Sequence, residues 1–290
     1  MPGAKDACRL YPQVIRQCTD SPTRATFNRH HTVLTRLSRS LALGILLAFS
    51  FPLQASLLDE IQVYTDDLNA PGEFGAEIHI NTTPKGLTAP SYPGEAVNHR
   101  GIRVTPELSW GLTPSFEAGL YLPVTRTGDG VLYGAGLKLR AKWLPLKAGP
   151  DGGWFAGINT ELGQLKQPFS ESARALEVRT ILGWKNNDWL LATNPIFGWD
   201  VSPGHMHRTP DFTLAVKAAR RVSASSSLGL EYYSGMGRLN QRLPPGQQDN
   251  TLYIAWDYEG APFSFNLGLG RGLTGASDAW TLKSIIEVPW

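Results

Sequence analysis

Residues 73–82, EFGAEIHINT, set Phe74, Ala76, Ile78, Ile80 and Thr82 on one side of an extended chain and Gly75, Glu77, His79 and Asn81 on the other. Successive side chains of a strand point to opposite faces. Strict alternation with charge on one face therefore predicts a strand that separates an apolar medium from a polar one. The pattern recurs in segments of about ten residues. After Glu73 to Thr82 come Gly101 to Trp110, Ser115 to Val124, Tyr133 to Trp143, Gly153 to Gly163, Ala175 to Trp184 and Asp188 to Gly198. Asp211 to Arg221, Ser226 to Gly235, Asn250 to Tyr258, Phe263 to Gly270 and Ala279 to Trp290 complete the set.

Connections after even-numbered segments are mostly short (Gly111 to Pro114, Lys185 to Asn187, Val222 to Ser225, Glu259 to Pro262), although Leu144 to Gly152 is longer. Those after odd-numbered segments tend to be long and polar, as in Thr83 to Arg100, Gln164 to Arg174, Trp199 to Pro210 and Met236 to Asp249. An even strand number with short turns at one end and long loops at the other predicts an all-β fold, a twelve-stranded antiparallel transmembrane β-barrel of the bacterial outer membrane.

The tryptophans fit that expectation. With both termini on the periplasmic side, Trp110, Trp143, Trp154, Trp184, Trp189, Trp256 and Trp290 fall on outward parity at the periplasmic strand ends. Trp199 and Trp280 fall outward at the other end. Indole rings at both headgroup levels make the aromatic girdles of membrane proteins. The opposite parity collects Glu77, His79, Arg103, Glu107, Glu117, Lys138, Arg140, Lys142, Glu161, Glu177, Arg179, Lys217, Glu231, Asp257, Lys283 and Glu287, the expected pore lining. Lys138, Arg140 and Lys142 follow one another at period two, a cationic ladder about 14 Å long at roughly 3.4 Å per residue. Carboxylates lie on most other strands, so the expectation is a positive stripe facing a negative wall, with pairing across neighbouring strands as the alternative. In-strand glycines (Gly75, Gly119, Gly136, Gly157, Gly183, Gly229, Gly268) share the inward parity and either leave space in the lumen or relieve curvature.

Ahead of the strands, Arg36 and Arg39 precede the apolar run LALGILLAFSF, Leu41 to Phe51, then Pro52 and the small Ala55. This order reads as a secretory signal peptide with an extended basic region, residues 1–55, cleaved before Ser56. At 55 residues it exceeds the usual ~15–30; a translation start nearer Val33 or Leu34 would shorten it. The leader carries seven of the 27 basic and two of the 25 acidic residues, so the remainder has net charge −3 and its charge gives no argument for nucleic acid. Both cysteines, Cys8 and Cys18, also lie in it, which removes disulfide, thiolate-metal and Cys-nucleophile chemistry from the mature chain. No stretch reaches the ~18 apolar residues of a spanning helix. Residues 56–72, with Asp59, Glu60, Asp66 and Asp67, read as a periplasmic lead-in or a short lumen insert before a barrel over 73–290.

The hairpin ELSWGLTPSFEAGLYLP (Glu107 to Pro123), the segment DFTLAVKAARRVSASSSLGLEYYS (Asp211 to Ser234) and the tail GLGRGLTGASDAWTLKSIIEVPW (Gly268 to Trp290) resemble the transporter-like outer-membrane barrels of the phenol-degradation MetA-pathway type. The resemblance spans most of residues 101–290 and rests on turns and strand patterns. Members usually have an acidic residue after the Gly-Leu-Thr of that hairpin turn, where this chain has Pro114. It implies a passive solute channel with poorly defined substrates; for this chain the expectation is a small solute, aromatic or hydrophobic in character.

Two other chemistries have candidate residues in the sequence. His205 and His207, beside Asp200, supply donors for copper or nickel but no third fixed ligand, so neither metal nor cofactor is expected. A lipid-modifying barrel enzyme needs a Ser activated by a nearby His at the bilayer surface; parity turns His79 into the lumen, and no Ser pairs with it in the sequence. A barrel that binds partners through its long loops is the other alternative. The expected partners are outer-membrane lipid, a small solute and, through the alternating C-terminal strand ending in Trp290, the barrel assembly machinery.

Overall fold

A computed structural model describes residues 60–204, 206 and 209–289. The leader, residues 56–59, His205, His207 and Trp290 lie outside the described residues. Strands β1 (Phe74–Lys85), β2 (Ile102–Thr113), β3 (Phe116–Tyr121 and Val124–Arg126) and β4 (Leu132–Gly134 and Gly136–Leu146) come first. They are followed by β5 (Gly153–Leu165), β6 (Arg174–Lys185), β7 (Trp189–Asp200) and β8 (Asp211–Ser223). The last four are β9 (Ser226–Arg238), β10 (Asp249–Tyr258), β11 (Ser264–Gly272) and β12 (Trp280–Pro289). Each pairs antiparallel with its neighbours in sequence, and β1 also pairs with β12, which closes a twelve-stranded barrel. A short ribbon, Gln241–Arg242, extends β9 beyond the wall.

Two staves are interrupted for identifiable reasons. β3 breaks at Pro123, which has no N–H to give to the ladder, although its carbonyl still accepts from the Ala135 N–H at 2.8 Å. β4 breaks between Gly134 and Gly136, where Gly136 holds φ +150° and a Cβ would strike the Gln164 carbonyl. Only glycine adopts that backbone without strain.

Alternation decides which face meets which medium. Outward Leu139, Ile158, Leu191, Leu230, Ile254 and Leu269 are exposed, a continuous apolar surface that water would not tolerate and hydrocarbon does. Closure matters equally, because every wall strand spends its backbone donors and acceptors on two neighbours and leaves no edge in lipid. Trp110, Trp143, Trp154, Trp189 and Trp256 stand exposed at the short-turn end, and Trp280 at the long-loop end. Trp184 and Trp199 are half-buried at the same two levels. Phe74 stacks on Trp110 at 5.6 Å and Phe265 meets Trp256 edge-on at 4.9 Å, so girdle rings join across two of the strand pairs.

Candidate lumen site

Residues 60–69 form no strand and lie inside the barrel. The sequence left a periplasmic lead-in and a lumen insert open; this segment turns back from β1 at the short-turn end and runs up the lumen. Ile61, Val63 and Tyr64 are almost fully buried there. Lys283 Nζ donates to the Ile61 carbonyl at 3.0 Å and Arg179 Nη1 to the Gln62 carbonyl at 3.0 Å. Asn194 accepts from the Tyr64 N–H at 2.6 Å and donates to the Tyr64 carbonyl at 3.1 Å. Lys142 donates to the Asp67 carbonyl at 2.7 Å, and the Asn69 N–H donates to Glu117 at 2.8 Å.

Tyr64 is the centre of the assembly. Its hydroxyl shares a hydrogen bond with the Tyr121 hydroxyl at 2.7 Å and donates to Glu161 at 3.3 Å. Over its ring face stand Arg179 at 4.4 Å, Lys142 at 4.9 Å and Arg140 at 5.9 Å from the centroid. Neighbouring Val63 packs in an apolar cluster with Leu144, Phe155, Ile181, Ala192, Ile196 and Ala215. The lumen thus has a charged side and an apolar side, with Val63 in the apolar one and Tyr64 bordering both.

The expected pore-lining residues do face inward, but the geometry corrects the open charged stripe in favour of pairing. Register sets Glu77 opposite Glu107 and Glu161 opposite Glu177, like-charge pairs that repel unless cations intervene. Arg140 supplies one, 2.8 Å from Glu107 and 2.5 Å from Glu117. Lys138 pairs with Glu161, and Arg179 lies 3.0 Å from Glu177 and 3.6 Å from Glu60. On the far wall Glu231 sits between Lys283 at 2.5 Å and Lys217 at 3.3 Å, with Lys217 also 2.7 Å from Asp257. Arg103 is buried against the Thr125 hydroxyl at 2.8 Å, below the Phe169 ring. Glu287 alone of the set is exposed, at the mouth. The space left by inward glycines is filled: a Cβ on Gly119 would strike Arg140, on Gly183 the Phe155 ring and on Gly268 the Lys283 stem.

His79 is fully buried and hydrogen-bonds Glu107 at 3.1 Å, with Glu77 at 3.7 Å. Donor atoms of these three lie within 4.8 Å of one another, a grouping the sequence did not single out. Arg140 and His79 already meet the Glu107 carboxylate, so the protein itself satisfies the charge that an ion would. A vestibule of 510 Å³ opens at the short-turn end, bordered by Asp66, Lys185, Asp188 and Glu259, and runs beside the segment as far as Glu231 and Lys283. Asp66 is anchored there by Lys185 at 2.6 Å and the Ala148 N–H at 3.1 Å.

A closed even-stranded barrel with an apolar exterior, aromatic end-bands and a charged interior defines an outer-membrane β-barrel, its short-turn end periplasmic. No protein-family model matches the chain, and no curated protein is significantly similar to it. Among solved structures it is similar to the COG4313 outer membrane channel from Pseudomonas putida F1, with a TM-score of 0.55, 11% identity, and coverage of 80% of this chain and 100% of that one. It is more distantly similar to the KdgM porin (TM-score 0.46, 10% identity, 74% of this chain and 99% of that one). The NanC porin stands at the same distance (TM-score 0.46, 9% identity, 75% and 98%). At 11% identity the first likeness is one of fold.

Proposed function

We propose that the protein is a passive outer-membrane channel, of the transporter-like kind its hairpins resemble, whose lumen is closed by its own N-terminal segment. The observation that carries this reading is the way the segment is held. Val63, Tyr64 and Leu68 pack on the apolar side, and the rest of its contacts are side-chain hydrogen bonds and ion pairs to a polar wall, which water can replace. A permanent filling of a barrel would instead be a packed core. The vestibule already reaches the segment from the periplasmic side.

The solute we infer is a small hydroxylated aromatic compound. The phenol ring of Tyr64 sits under three cations with its hydroxyl shared between Tyr121 and Glu161, and the same cage would take such a ring from solution once the segment leaves. A purely hydrophobic solute fits less well beside so many charges. The enzyme reading gains nothing from His79, which is hydrogen-bonded to Glu107 in the lumen, away from the lipid surface.

Proteoliposome flux tests the proposal. Barrel lacking residues 60–69 should admit 4-hydroxybenzoate faster than a neutral sugar of similar size, and full-length mature protein should admit both slowly. Absence of flux through the shortened, correctly folded barrel would overturn it.

A further inference from the structure

The lumen wall reads the main chain of residues 60–69 as well as their side chains. Six backbone groups are engaged: the carbonyls of Ile61, Gln62, Tyr64 and Asp67, and the N–H groups of Tyr64 and Asn69. Their partners, Lys283, Arg179, Asn194, Lys142 and Glu117, come from five different staves. Asn194 acts as a peptide group would in a β-ladder, giving and taking one hydrogen bond at a single residue. Its neighbour Pro195 lies where the β6–β7 pairing skips from Arg179/Ile196 to Leu182/Thr193. The wall gives up part of its own ladder at the point where Asn194 turns to the segment.

Main-chain hydrogen bonds supply affinity for any extended peptide, and pockets for alternate side chains supply selectivity. Three such pockets exist: the apolar one for Val63, the cation-lined cage for Tyr64, and the Lys185 and Ala148 N–H site for Asp66. The segment has no strand pairing of its own, and its covalent tie at residues 70–73, fixed to the wall by the Gly72 N–H on the Gly111 carbonyl at 2.8 Å and the Gly111 N–H on the Glu73 carbonyl at 2.9 Å, adds local concentration.

We propose that the lumen is a binding site for extended peptides, selecting an aliphatic residue, then an aromatic, then any residue, then an acid, and that the chain's own segment is its resident occupant. Peptides of this class enter from the periplasmic mouth, where the vestibule opens, and compete with residues 60–69. The site holds whether or not the barrel conducts solute.

The experiment uses barrel lacking residues 60–69, checked for heat-modifiable mobility, and a fluorescent synthetic peptide EIQVYTDDLN corresponding to those residues. Fluorescence anisotropy in detergent micelles should show saturable binding to the shortened barrel and much weaker binding to the full-length mature protein. The Tyr64→Ala peptide should bind roughly a hundredfold more weakly, from the loss of a buried aromatic ring. N-methylation at the Tyr64 nitrogen should weaken it as well, by removing the donor to Asn194. No saturable binding, or equal binding of a scrambled peptide, would overturn the proposal, and neither result depends on conductance.

Discussion

Replacing Tyr64 by Ala should release the segment without harming the barrel. The side chain is 2% exposed and touches Tyr121, Glu161, Arg140, Lys142 and Arg179, yet it takes no part in the wall ladder. Truncating a buried aromatic costs about 3–5 kcal/mol. The vacated cage is polar and adjoins the vestibule, so water fills it and the cost falls at the lower end, about 3 kcal/mol. That corresponds to roughly a hundredfold rise in the undocked population, since ~1.4 kcal/mol is a factor of ten. Tyr64→Phe keeps the ring and loses the hydroxyl bonds, about 1 kcal/mol, or roughly fivefold. The chain has two cysteines, Cys8 and Cys18, both ahead of the barrel, so in protein produced from Ser56 onward a Val63→Cys reporter is the sole thiol. Its labelling rate with an impermeant maleimide measures undocking directly. Labelling that changes less than about threefold in the Tyr64→Ala background would refute this account of how the segment is held.

Other consequences follow from the same network and its setting. Glu231→Gln leaves Lys283 and Lys217 without their shared counter-charge and should destabilise the barrel by about 3–5 kcal/mol, read as a lower urea midpoint in vesicles; an unchanged midpoint would show that the cluster is hydrated. Ile254→Arg, at an outward position 65% exposed in mid-strand, should cost about 2–4 kcal/mol in lipid, whereas no cost would mean that this face does not meet hydrocarbon. In the external loops, Asp278 accepts from the Leu87 N–H and Asn98 at 2.8 Å each, and burial pushes its carboxyl above the usual range. A folded pKa above the unfolded one makes the loop tie strongest when protonated and weaker as pH rises through the folded value. Protease cleavage of loop 86–101 should therefore speed up as pH climbs above ~4, and Asp278→Asn should flatten that profile.

The wall was legible in the sequence because a barrel strand has one variable, parity. EFGAEIHINT reads the same way in the structure, with β1 facing Glu77, His79 and Asn81 into the lumen, and β1 gains only a few residues at its far end. The partners of the lumen charges were not legible, because the stagger between strands decides which side chains meet. Arg140 lies directly opposite Glu161 in register, yet its guanidinium turns the other way to Glu117 and Glu107, and Lys138 takes Glu161 diagonally. The segment at 60–69 was hardest to read. It has no alternation, because the donors and acceptors that hold it are spread from Glu117 to Lys283 and recognise its backbone. The one signal available was Val63-Tyr64 among four acids, an apolar and aromatic pair with no strand to join.

Single-channel recording in planar bilayers bears most directly on the closed lumen. Full-length mature protein should stay closed apart from rare openings, and the barrel without residues 60–69 should conduct steadily at every insertion. Equal conductance from the two proteins would contradict the account, since the segment would then not stand in the path.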